Sequence, residues 1–156
     1  MTEGVAASGK SLRHKAMDLL ARREHSALEL RRKLEAKGNP AEAVVAVVEE
    51  LQHEGLVSDE RFTEAFVRYR QNSGHGPLRI QLELRERGVS DELSSAYLDF
   101  ADRQWLTLAE QVRSKRFGMA APKDYQERAR QARFLQYRGF TSDQTRRVLA
   151  GGDVDE

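Results

Sequence analysis

The chain contains no cysteine. That excludes a disulfide framework and any thiolate metal site. Proline occurs three times in 156 residues, and aromatic residues make up only 7%. Hydrophobic residues are also few, 39% against 33% charged, which suits thin helical units with much solvated surface better than one thick core. Net charge is nearly absent too, since 26 Lys+Arg stand against 25 Asp+Glu for a formal +1. Bulk charge therefore does not hold the whole molecule to a polyanion. No apolar run reaches membrane length, and residues 1–11 lack the hydrophobic segment of a signal peptide. A soluble, cytoplasmic protein is expected. No stretch alternates apolar and polar residues as a half-buried strand does.

What the chain does have is charge, 33% of its residues, and a repeated pattern. A charged stretch with helical apolar spacing leads to a glycine, a polar cap and a second periodic stretch. The instances are LRRKLEAKGNPAEAVVAVVEEL (residues 30–51), LELRERGVSDELSSAYLDF (82–100) and RFLQYRGFTSDQTRRVLAG (133–151). Their glycines, Gly38, Gly88 and Gly139, recur every 50 to 51 residues. A fixed period of that size marks small supersecondary units that bury their apolar faces against one another. The expected fold is all-α, an elongated array of three tandem three-helix repeats. The expected units are residues 11–56, 57–101 and 102–150, with a disordered N-terminus at 1–10 and a flexible tail at 151–156.

Helix starts and stops are legible. A first helix over residues 11–23 carries Leu12, Ala16, Leu19 and Leu20 on one stripe. Ser26 with Glu29 forms a capping box for the second, whose buried face is Leu30 and Leu34. Gly38 suits the left-handed residue that ends it. Asn39 as cap and Pro40 in the first turn start a third helix, with Val44, Val47, Val48 and Leu51 inward. Ser58 opens the second repeat, where Phe62, Ala65, Phe66 and Tyr69 share a face. NSGHGP (residues 72–77) is the strongest break. The helix over 77–87 is apolar on two nearly opposite faces, Ile80 with Leu84 and Leu78 with Leu82. That predicts a helix sandwiched between neighbours, with a partner contact as the lesser reading. Ser90 caps the next helix, which carries Leu93, Ala96, Tyr97 and Phe100. In the third repeat, a helix with Trp105, Leu108 and Val112 stops near Gly118, and a connector leads to a helix over 125–137. Thr141 and Gln144 then box the start of a final helix ending near Ala150.

Catalytic chemistry finds no candidate. GVAASGKS (residues 4–11) satisfies the phosphate-loop spacing, but only three residues precede it and no strand supports it, so it reads as a chance match. His14, His25, His53 and His75 are not at metal-ligand spacing and are expected on the solvated surface. Acid pairs such as Glu49-Glu50 fit solvation, Asp59-Glu60 fits a helix start, and the serines are caps. No cofactor is expected. Basic residues interleaved with aromatics are more informative: Arg68-Tyr69-Arg70, Lys115-Arg116-Phe117 and Tyr137-Arg138. Such sets can grip phosphates and stack on bases. The plain alternative puts Tyr69, Phe117 and Tyr137 in the core and the arginines on a solvated rim. A recognition helix for an operator is disfavoured, because the third helices are valine-rich or acidic.

Four further segments carry a resemblance: AMDLLARREHSALELRRKL (16–34), HEGLVSDERFTEAFVRYR (53–70), GHGPLRIQLELRERGVS (74–90) and RARQARFLQYRGFTSDQ (128–144). In this order and spacing the chain resembles the RecX family, bacterial regulators of RecA recombinase, from about residue 15 to 150. The resemblance implies curved arrays of three-helix repeats that bind in the groove of the RecA filament on single-stranded DNA. It further implies suppression of ATP hydrolysis and strand exchange, limited filament growth or disassembly, and restraint of recombination, DNA repair and the SOS response. The expected molecule is a monomer and not an enzyme, with the filament and single-stranded DNA as partners and no membrane. Recurring basic residues in repeats two and three make the candidate contact set: Arg68, Arg70, Arg79, Arg85, Arg87, Arg113, Lys115, Arg116, Arg133 and Arg138. A stand-alone helical DNA-binding protein and a helical adaptor without a DNA role remain the alternatives.

Overall fold

The computed structural model describes residues 11–150. Residues 4–10 of the phosphate-loop match and the tail at 151–156 lie outside the described residues. Among those described there are nine helices and no strand. They are α1 (Leu12–Leu20), α2 (Ala27–Ala36), α3 (Ala41–His53), α4 (Asp59–Asn72), α5 (Pro77–Glu86), α6 (Asp91–Tyr97), α7 (Gln104–Phe117), α8 (Tyr125–Tyr137) and α9 (Ser142–Leu149).

The caps form the helix starts. Ser11, Ser26, Ser58, Ser90, Asp124 and Thr141 each accept a hydrogen bond from the amide three residues on. Each bond satisfies a donor that the helix itself leaves open. The boxes Ser26/Glu29 and Thr141/Gln144 are both complete. Two local expectations need correction. The first helix ends at Leu20 rather than near Arg23. Asn39 does not cap α3; Pro40 holds that position, and the Asn39 amide donates back to the Leu34 carbonyl at 2.8 Å, closing the end of α2.

The helices pack in consecutive threes. Repeat 1 has its own core of Ala16, Leu19, Leu30, Leu34, Val44, Val48, Leu51 and Val57. Repeats 2 and 3 share a second core, in which Phe62, Ile80 and Leu84 belong with Trp105, Leu135, Phe140 and Val148. The buried residues of α4 are Phe62, Thr63 and Val67, so the inward face is rotated away from Tyr69, which is 62% exposed. The helix α5 is covered on one side only. Ile80 and Leu84 are fully buried, whereas Leu78 and Leu82 are 47% and 51% exposed, so the expected sandwich does not form.

The middle helices of the three repeats meet end to end. At the end of α8, the Arg138 and Gly139 carbonyls accept the amides of Gly76 (2.8 Å) and Leu78 (2.9 Å), which open α5. At the far end of α5, the Arg87 carbonyl accepts the Ser26 hydroxyl (2.7 Å) that caps α2, and the Glu86 carbonyl accepts Arg32 (3.1 Å). Carbonyls and amides orphaned at helix ends thus satisfy one another, with dipoles head to tail. Close approach explains two of the repeating glycines. Gly139 lies against Arg79, and a Cβ at Gly88 would sit 2.8 Å from Leu28 Cβ. Gly38, at the end of the series, has open space instead.

The two joints differ in chemistry. Besides the Ser26 and Arg32 bonds, the α2–α5 joint is held by Asp59 accepting the Ala27 amide at 2.8 Å, by Arg61–Glu24 at 3.0 Å and by Arg87–Glu29 at 3.5 Å. Burial tends to raise the Glu29 carboxyl, but Arg23 and the Ser26 amide outweigh it and hold it below the ordinary carboxylate value. The α5–α8 joint lies within the shared core and is locked backbone to backbone.

Candidate protein and nucleic-acid interface

Three of the ten candidate residues converge. Lys115 and Arg116 on α7 and Arg138 after α8 line one groove of about 420 Å³, with Phe134, Val112 and Ser73. Arg116, Phe134 and Arg138 also belong to a ladder of cations and rings that runs on beside the groove. Arg130 stands 4.9 Å from the Phe117 ring centre, Arg116 is 5.4 Å from Phe117 and 5.6 Å from Phe134, and Arg138 is 5.2 Å from Phe134. The two rings meet edge to face at 5.3 Å. Such stacking fixes the guanidinium planes; Arg130 also pairs with Glu127 at 3.1 Å, and Arg138 donates to the Ser73 and Gly74 carbonyls at 3.3 and 3.2 Å. Among the described residues, neither Lys115 nor Arg116 has a carboxylate partner at ion-pair distance. Arg130 lies outside the expected contact set, yet Arg130, Phe134 and Arg138 recur at every fourth position of one helix face, a spacing visible in the sequence.

The other candidates lie elsewhere. Arg68 is exposed and pairs with Glu64 at 3.6 Å, and Arg85 pairs with Asp91 at 3.0 Å. Arg133 is exposed on another side of α8, in a groove with Tyr125 and Arg146. Arg87 covers Phe66 at 4.8 Å. Arg70 and Arg79 are structural ties as well as cations. Arg70 grips Glu83 with two bonds of 2.8 Å, and Arg79 reaches the same carboxylate at 3.2 Å. Burial pushes the Glu83 carboxyl up, yet those two arginines outweigh it and keep it below its ordinary value.

Arg113 is buried at 4% exposure. It bonds Glu110 at 3.0 and 2.9 Å, Gln131 at 3.2 Å and the Ala120 carbonyl at 3.3 Å. It pins the connector to α7 and α8, so its side chain has no free face for a partner. The aromatic expectation also changes. Tyr69 and Tyr137 are exposed, at 62% and 73%, and only Phe117 is half-buried.

Two histidines leave the solvated surface. His25 is 1% exposed between the Arg23 carbonyl (3.0 Å) and Lys33 Nζ (3.0 Å), and burial pushes its pKa down. His75 is half-buried at the α5–α8 joint, and its Nδ1 is buried without a hydrogen-bond partner. Burial lowers its pKa first, and Arg70, Arg79 and Arg138 add to the shift against an opposing Glu83. Among the described residues no group of three or more His, Asp or Glu could hold a metal ion. No helix of the described residues is long and apolar enough to cross a membrane.

Family models named for the first, second and third three-helix domains of RecX match residues 13–51, 58–98 and 102–149. The chain belongs to the RecX family. A protein of Halorhodospira halophila named regulatory protein RecX is 47% identical over 156 residues, covering 100% of this chain and 96% of its own length. A Pseudomonas entomophila protein of the same name is 42% identical over 144 residues, 92% of this chain and 93% of that one. The crystal structure of RecX from Lactobacillus salivarius superposes with a TM-score of 0.75 at 18% identity, over 92% of this chain and 95% of that chain. A second crystal structure, of regulatory protein RecX, gives 0.74 at 20% identity, over 99% of this chain and 77% of that one. At such identities the two structures establish the shared fold. A RecX-type regulatory role follows from the closer sequences.

Proposed function

We propose that this protein inhibits RecA recombinase by lying in the groove of the RecA filament on single-stranded DNA. It lowers ATP hydrolysis and strand exchange, limits filament growth, and so restrains recombination and the SOS response. The mechanism is occupancy and competition, with no bond chemistry in this chain. The carrying observation is the ladder Arg130, Phe117, Arg116, Phe134, Arg138, beside unpaired Lys115, on a series of helices joined end to end. Stacked rings beside the Lys115 and Arg116 charges, which have no carboxylate partner among the described residues, suit phosphate and base contacts, whereas a repeat array supplies the length to span neighbouring protomers. Membership of a family of regulators supports the same reading.

The test is inhibition of RecA ATPase on single-stranded DNA, with co-sedimentation in which RecA, DNA and nucleotide are omitted in turn. Inhibition that needs the filament supports the proposal, and its absence in the wild-type protein refutes it. The same ladder also favours direct binding to single-stranded DNA as a second reading. That reading requires RecA-independent affinity that falls steeply as salt rises.

A further inference from the structure

Three of the large exposed hydrophobic side chains, Leu78, Leu82 and Tyr137, line one groove between α5 and the end of α8. The groove holds about 420 Å³ and is completed by Arg79, Glu83, Glu86, Gln136 and Gly139. It does not belong to the basic ladder, whose groove shares none of these residues. Tyr137 is pre-positioned there, since Arg79 stands 5.3 Å from its ring centre and donates to its carbonyl at 3.2 Å. Arg79 is in turn fixed by Glu83. A rigid aromatic beside two aliphatic side chains is the composition of an interface centre. Scattered surface leucines need no explanation, but a cluster in a concave groove does.

The charges select the partner. Glu83 is shared by Arg70 and Arg79, whereas Glu86 is exposed and has no ion-pair partner among the described residues, so the free charge lining the groove is a carboxylate. A lysine or arginine is therefore favoured beside Glu86. The three side chains offer roughly 300 Å² of apolar surface, well short of the ~800 Å² per partner that a stable interface takes. This groove is one anchor of a larger docking surface and is too small to hold two copies of the chain together.

We propose that this groove is the protein-docking face, taking from a filament protomer an aliphatic ridge with a neighbouring cation that meets Glu86, while nucleic acid stays on the Phe117–Phe134 ladder. The assignment rests on the filament reading above.

Two variants test it: Leu78→Gln with Leu82→Gln, and Glu86→Lys. The expected result is a half-inhibitory concentration in the RecA ATPase assay at least ten-fold higher for each. Affinity for a fluorescent single-stranded oligonucleotide without RecA should not fall, and circular dichroism melting should stay unchanged. Inhibition within two-fold of wild type overturns the assignment, as does a parallel loss of oligonucleotide affinity. A wild-type dimer in light scattering that the double variant converts to monomers overturns it in favour of self-association. Failure of the wild-type protein to act on the filament refutes the filament reading itself, an outcome distinct from variants that inhibit normally.

Discussion

Substituting alanine for three glycines separates what each one does. Gly38 has φ +95 but open space around a new Cβ, so Gly38→Ala carries backbone strain alone. An L-residue in the left-handed region costs about 1–2 kcal/mol, partly offset by the stiffer unfolded chain. Gly76 is the converse case. Its φ of −88 is ordinary, but a Cβ would sit 2.5 Å from both the Gly139 carbonyl carbon and the Phe140 nitrogen. Those are backbone atoms, held by the Gly76–Arg138 bond of 2.8 Å, and they cannot swing aside. Overpacking of this kind costs about 1–3 kcal/mol. Gly139 combines both, with φ +103 and a Cβ that meets Arg79 Cβ and lies 2.8 Å from Arg79 N. The expected order of destabilisation is Gly38→Ala at about 1 kcal/mol, then Gly76→Ala at about 2, then Gly139→Ala at about 3 or more. Urea unfolding followed by circular dichroism at 25 °C resolves these steps, because 2 kcal/mol moves the midpoint by about 1 M at an m-value near 2 kcal/mol/M. Gly139→Ala and Gly76→Ala no more destabilising than Gly38→Ala would refute the end-to-end joint.

Other outcomes follow from the same contacts. Arg113→Ala should lower stability by about 2–4 kcal/mol, since it strips Gln131 and the Ala120 carbonyl of a buried donor; thermal melts measure this. Lys115→Glu with Arg116→Glu should leave the melt nearly unchanged yet weaken single-stranded DNA binding and flatten its salt dependence by about one to two log units of slope, as read by fluorescence anisotropy. Burial lowers the pKa of His25 and His75 in the folded protein, His75 facing Arg70 on α4, Arg79 and Glu83 on α5, and Arg138 after α8. The unfolded chain therefore binds more protons, so their contribution is complete above pH ~6.5 and falls as the pH drops below it. His75→Gln should make the melting temperature less sensitive between pH 7.5 and 5.5, and an unchanged slope would contradict that role.

Local chemistry made the helices readable. Ser26, Ser58, Ser90 and Thr141 announce starts because a hydroxyl three residues before an amide satisfies it whatever packs nearby. Exposure was less readable, because it depends on neighbours distant in the chain. The helix α7 buries Trp105, Leu106, Ala109 and Arg113, a set spread too widely for one apolar stripe to reveal. By sequence Arg113 reads as a surface cation, because its partners, Gln131 and the connector, reach it only after folding. In the site, the pairing of basic with aromatic residues pointed to Arg116, Phe117 and Arg138. It could not tell that Tyr137 would face away from Phe134, since two residues three positions apart on α8 serve different grooves.

The unlike joints give the molecule unequal stiffness. Repeats 2 and 3, fused through one core and a backbone lock at Gly76 and Gly139, are expected to move as a single block. Repeat 1 is tied to that block by side chains instead, through Ser26, Asp59, Glu24 and Glu29. Pulled from its two ends, the chain is expected to yield between α2 and α5 first. A rigid rear body with a yielding front segment can keep its purchase on a track whose pitch changes, since only the front must readjust.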